Sequence, residues 1–167
     1  MRCLMLPDAL AILAFGAAPA VAQRCSGPEA YHAPQPVLPK EALVIVGRNG
    51  KEHVFQVEMA LTPEQQEIGL MARTFVPPDG GMLFDMGEPP EQSRFWMCNT
   101  VVPLDMVFIK PDGTIDSIAE HAVPFSLDSV VSAGPVRATL ELAAGTVARD
   151  GIRVGDIVRQ RIFGNAR

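Results

Sequence analysis

The chain has 167 residues, with 14 Lys and Arg against 19 Asp and Glu and a net charge of −5. That length points to one domain, long enough to bury one real core. The acidic balance, with no Lys/Arg cluster or stripe, argues against nucleic acid or an anionic membrane surface as a partner.

Residues 1–22 have the pattern of a secretory signal peptide. Arg2 gives a charged start, LAILAFGAAPAV an apolar run, and Ala20-Val21-Ala22 a small-x-small cleavage site. The run is short for a bilayer span, so no stable membrane span is expected after cleavage. The mature chain is expected to start at Gln23 and to be periplasmic or secreted; the alternative is a retained N-terminal anchor. Cys25 does not suit lipid attachment, because Ala22-Gln23-Arg24 precede it where small apolar residues are wanted.

Residues 23–40 contain Pro28, Pro34, Pro36 and Pro39 and no apolar period, which predicts a flexible or extended arm. The domain is expected over residues 41–164. ALVIVG and KEHVFQVEMA flank Asn49-Gly50, a hairpin signal. In the second run Phe55, Val57 and Met59 alternate with Val54, Gln56 and Glu58, so the first three are expected in the core.

TPEQQEIGLMAR predicts the one clear helix, near 63–72. Thr62 can cap it, Pro63 takes the first helical position, and Gln65 stands at capping-box spacing. Ile68 and Met71 with Leu61 are the expected packed side, and Gly69 limits the helix to two or three turns. A short strand is expected at Met82 to Phe84. SRFWMC reads as another, with Arg94, Trp96 and Cys98 on one face and Phe95 and Met97 on the other.

LDMVFI and TIDSIAEH flank Lys110-Pro111-Asp112-Gly113, a tight turn between strands. VRATLELAAG alternates: Val136, Ala138, Leu140 and Leu142 are apolar, while Arg137, Thr139 and Glu141 suggest a solvated face. GTVARDG closes one helical turn and DIVRQRIF is a last strand. Many short strands with one short helix predict a mainly β (β-rich α+β) sandwich or barrel.

Four stretches carry a family likeness: GLMAR at 69–73, GGMLF at 80–84, FWMCNTVVPLDMVFI at 95–109 and GPVRATLELAAGTVARDGIRVGDIV at 134–158. Together they resemble the bacterial family catalogued as domain of unknown function 192, which is uncharacterised and often exported. The resemblance runs from about Val54 to Val158. It implies a compact, jelly-roll-like β domain and carries no catalytic residues across. The family usually has a basic residue, commonly Lys, between the Met and Asn of this motif; here Cys98 stands there.

Cys98 has three readings. A nucleophile needs a base such as His32, His53 or His121, and no motif places one beside it. A disulfide to Cys25 fits an oxidising compartment, since Cys3 leaves with the signal and two cysteines remain. The third reading is a buried thiol acting as a small hydrophobe. Copper or another redox metal would suit the Met, His and Cys content, yet no His occurs from Asn99 to Met106, just after Cys98, and Met59, Met97 and Met106 look like core. No metal set and no cofactor are therefore assigned.

Asp105, in an apolar strand, needs a partner; Arg73, Arg94, Arg137 and Asn99 are candidates. With Glu141 it is also a candidate acid/base pair. The leading expectation is an exported accessory domain that binds a small ligand, an envelope component or a protein without catalysis. Its expected binding residues are Arg73, Trp96, Asn99, Asp105, Arg137 and Glu141. The alternatives are an envelope hydrolase using Asp105 and Glu141, or Cys98 with a His, and a periplasmic metal or redox protein.

Overall fold

The computed structural model describes residues 29–166. The expected signal peptide, its cleavage point and Cys25 lie outside the described residues. The fold is mainly β, in keeping with the many short alternating runs.

Strands β1 (Lys40–Val46) and β2 (Glu52–Ala60) pair antiparallel, from Lys40↔Glu58 to Val46↔Glu52. Their connection is longer than the two-residue turn that Asn-Gly suggested. Of that pair only Gly50 is left-handed, at φ 80°, while the Asn49 side chain accepts from the Lys51 N–H at 2.9 Å. Phe55, Val57 and Met59 are buried, as their alternation predicts.

Helix α1 (Pro63–Ile68) starts with the expected capping box: Thr62 accepts from the Gln65 backbone, and the Gln65 side chain accepts from the Thr62 N–H. It is shorter than expected because Gly69, at φ 51°, ends it. A Cβ there would meet the Phe84 ring at 3.1 Å. Ile68 and Met71 are buried, but Leu61 is exposed and takes no part in the packed side.

The chain then adds β3 (Gly80–Asp85), β4 (Glu91–Phe95), β5 (Leu104–Ile109), β6 (Ile115–Ala122), β7 (Val130–Val136) and β8 (Ala138–Ala143). Helix α2 (Thr146–Asp150) and β9 (Ile157–Arg159) complete it. Seven strands form one sheet in the order β6-β5-β8-β3-β2-β1-β9. Crossover through α1 makes β3 parallel to β2; the other pairs are antiparallel. A bridge between Thr114 and Ile157, with the Ile115 N–H to Asp156 and Val158 N–H to Gly113 bonds, brings the two edges together at one end. The sheet is therefore a curled, partly closed barrel.

One face of that sheet holds Leu43, Phe55, Val57, Leu83, Val107, Leu140 and Leu142. The other holds Met82, Phe84, Leu104, Met106 and Phe108, and it is covered by a second sheet, β4 with β7. This second layer accounts for three corrections. The run SRFWMC leaves strand at Phe95, so Trp96 and Cys98 share no strand face. Strand β7 contains Gly134-Pro135, a pair that by residue type alone is turn punctuation. The face of β8 that carries Thr139 and Glu141 is not solvated: Thr139 is 0% and Glu141 4% exposed. The last strand is also shorter than DIVRQRIF, passing into a 3-10 turn at Arg161–Phe163.

Candidate functional site: an aromatic cleft over Glu141

Strand β8 alternates inside a two-faced core. Ala138, Leu140 and Leu142 fill the barrel side, which turns Thr139 and Glu141 to the side covered by β4 and β7. Glu141 lies opposite Met82 on one neighbouring strand and Met106 on the other; Thr139 lies opposite Phe84 and Phe108. Both polar side chains thus project into an apolar layer. Among the described residues the Thr139 hydroxyl has no hydrogen-bond partner, and no hydrogen bond reaches the Glu141 carboxyl. Burial pushes that carboxyl up to about 8, so it is mostly protonated at neutral pH.

Glu141 opens into a cleft of about 320 Å³. One wall is the end of α1 and the turn after it, from Ile68 to Met71. The other is the end of β4, Arg94 to Trp96, with Phe84 and Thr100 between them. The Phe84 and Phe95 rings meet edge to face with centroids 5.0 Å apart. Trp96 is half exposed at the mouth.

Of the residues expected to form a binding surface, the structure gathers only Trp96 and Glu141 in this cleft. Arg73 points elsewhere: its guanidinium is 3.0 Å from Glu58, whose carboxylate also accepts from the Leu38 N–H at 2.8 Å. With Gln35, which donates to the Gly69 and Gln65 carbonyls at 2.8 and 3.1 Å, this ties residues 35–38 of the arm onto the domain. Arg137 pairs with Asp85 at 2.7 Å and with Glu88 at 3.0 Å. Burial alone would raise Asp85, but bonds from Arg137 and the Gly87 N–H together hold it below the usual carboxylate range. Asn99 is buried, and its amide nitrogen has no hydrogen-bond partner among the described residues. It backs onto a shallower hollow with His32, Ala72 and Phe125, where Ala72, Asn99 and Phe125 are all left-handed.

Asp105 finds none of the partners considered for it. Its two oxygens accept from the backbone N–H groups of His121 (3.0 Å) and Val147 (2.9 Å), so it anchors α2 to the sheet. Asp105 pairs across the sheet with Leu142, and Glu141 with Met106. The two acids therefore face opposite sides and make no paired site. The histidines scatter: His53 is beside Asp150, His121 beside Asp105, and His32 in the arm. Met59 lies in the barrel-side core while Met97 and Met106 lie in the other, so the methionines do not converge. Cys98 is buried with Ile68 and Met71, and Tyr31 of the arm packs on this group.

Sequence reasoning missed Phe84, Phe95, Met71 and Arg94 as cleft residues. A signal existed: Gly69-Leu70-Met71, Phe84, Arg94-Phe95-Trp96 and Glu141 fall in or beside the four stretches that carry the family likeness. Those stretches are far apart in sequence and meet at this cleft.

No curated protein matches this chain. Solved structures similar to it include the following two. One, from Sinorhizobium meliloti, is described as a "putative transcription regulator"; it is 44% identical over 77% of this chain and 98% of its own, with a TM-score of 0.74. The other, a protein of unknown function from Novosphingobium aromaticivorans, is 38% identical over 81% of this chain and 100% of its own, with a TM-score of 0.71. The model of the family DUF192, "Uncharacterized ACR", matches residues 44–160, well over half of the chain. The chain belongs to the DUF192 family.

Proposed function

We propose that this protein is an exported accessory module that binds a small organic ligand in the cleft over Glu141, without chemical turnover. One observation carries the reading: an aromatic cleft of small-molecule size whose floor is a buried carboxyl with no partner of its own among the described residues. A buried polar group left unbonded is disfavoured unless something else satisfies it, and a ligand is the natural candidate. Binding is favoured over catalysis because the lining holds no His, Cys or Lys and its second carboxyl, Glu67 at the rim, is engaged by the Tyr31 hydroxyl, whereas acid–base chemistry on a substrate usually asks for a second group positioned for it. The regulator description belongs to that neighbour, and a net charge of −5 without a Lys/Arg cluster in the sequence does not support carrying it over.

The test is a fragment screen read by backbone amide shifts. Shifts clustered at Ile68 to Met71 and Arg94 to Thr100 are expected; binding elsewhere, or none, overturns the assignment. Export rests on the N-terminal pattern at residues 1–22. Fractionation of the producing cells, with N-terminal sequencing, should find a mature chain beginning at Gln23 outside the cytoplasm.

A Cys25–Cys98 disulfide belongs to the same proposal. Tyr31 packs against Cys98 with Ile68 and Met71, and Cys25 is only a few residues upstream of Tyr31, within easy reach of an extended chain. Such a bridge would hold the arm against the segment that forms one wall of the cleft.

A further inference from the structure

Given a ligand cleft over Glu141, on which this inference rests, the residues also specify the ligand's charge. We infer that the cleft selects a protonated amine on a compact apolar body, its N–H groups donating to the Glu141 carboxylate and its body lying among Phe84, Phe95 and Trp96.

Glu141 is short of donors. Its oxygens can accept several hydrogen bonds when ionised, and the protein supplies none among the described residues. Its cross-strand neighbours are Met82 and Met106, both apolar. An anionic ligand would set its charge beside an ionisable carboxyl, with only apolar Met82 and Met106 opposite it across the strands to compensate. An ammonium group brings the missing donors and the missing charge together. Aromatic rings favour the same sign, because the electron-rich ring faces attract cations.

The charged groups at the rim leave this balance in place. Glu67, from α1, adds a second carboxyl, and its side chain accepts from the Tyr31 hydroxyl. Arg94, at the end of β4, is the one cation in the lining, and it is exposed, where water screens it. The Gln66 amide is already committed to the Ala60 and Asp85 carbonyls.

Amine binding must therefore ionise Glu141. The empty cleft holds the neutral acid; the bound ammonium favours the carboxylate. Near pH 7, each amine bound should release close to one proton from the protein, and affinity should fall as the pH is lowered.

Benzylamine, benzyl alcohol and benzoate form a matched set for titration calorimetry on the mature protein, run in buffers of different ionisation enthalpy. Benzylamine should bind at least about tenfold tighter than benzyl alcohol, with proton release. In Glu141→Gln the tenfold preference and the proton release should both vanish. If benzyl alcohol or benzoate binds in the cleft as tightly as the amine, without proton release, the amine inference is overturned and the cleft stands as a ligand site. If none of the three shifts the cleft amides, the amine inference is overturned, and the fragment screen separately decides whether the cleft binds anything. Proton release in the unmutated protein keeps the test decisive even where the variant fails to fold.

Discussion

Asp105 and Glu141 sit on adjacent strands, one register step apart, and face opposite sides of the sheet. Both are buried acids, yet their surroundings differ in kind. Asp105 receives two backbone N–H bonds; Glu141 receives none among the described residues and is governed by burial alone. The first is therefore a fastener and the second an unsatisfied group facing a cleft.

Truncating the fastener should be severe. Asp105→Ala strands the Val147 N–H in the core and frees that of His121, so a loss of about 2–4 kcal/mol is expected. Asp105→Asn keeps one acceptor and should lose less. Urea denaturation of the two variants orders them; equal stability for Asp105→Ala and the parent protein would remove the anchoring role.

Glu141 should make stability fall as pH rises. Its carboxyl titrates near 8 when folded and near 4.3 when unfolded. Between those values the folded protein holds a proton that the unfolded chain has lost, so the stabilising contribution, complete below the unfolded value, declines through the window and is gone above about 8. The slope should reach about 1.4 kcal/mol per pH unit at most. Glu141→Gln should abolish this component, so its stability advantage over the parent should grow from pH 5 to pH 8. Parallel stability curves for the two proteins across that range would show that Glu141 does not change its protonation on folding.

Much of this arrangement was legible in the chain. The alternation in β2 gave Phe55, Val57 and Met59, and Thr62-Pro63-x-Gln65 gave the start of α1, because these are local signals with local causes. The cleft was not legible, because its cause is a second layer. Thr139 and Glu141 alternate with Leu140 and Leu142 as a solvated face would, and nothing within β8 says that β4 and β7 cover them. Strand β7 itself hides behind Gly134-Pro135. Trp96 and Cys98 have strand spacing, but the chain leaves the sheet after Phe95 and turns at the left-handed Asn99, sending Trp96 to the surface and Cys98 inward. Arg73 and Arg137 were candidate binding cations by residue type alone; only the tertiary structure shows each already paired.

Arg73 should hold the arm. Arg73→Ala leaves the buried Glu58 carboxylate with the Leu38 N–H as its remaining partner. A loss of about 1–3 kcal/mol is expected, and the arm before Leu38 should be cut faster in limited proteolysis. Gln35→Ala should speed cleavage in the same region by exposing the Gly69 and Gln65 carbonyls. If neither variant changes the cleavage rate there, these contacts do not secure the arm.

The proposed Cys25–Cys98 bridge predicts a definite redox signature. In protein purified from the producing cells without reductant, denaturation with an alkylating agent should leave both cysteines unmodified, and prior reduction should expose both. Reduction should also lower stability by about 2–4 kcal/mol, because the closed loop between the two positions restrains the unfolded chain. The effect should reach the cleft: Cys98 packs with Ile68 and Met71, which form part of its wall. Amide exchange from Ile68 to Met71 should therefore quicken on reduction, and Cys98→Ser should reproduce that change without reductant. Alkylation of Cys98 in the denatured, unreduced protein would show that the arm is held by Arg73 and Gln35 alone, and would leave Cys98 as a packed thiol in the core.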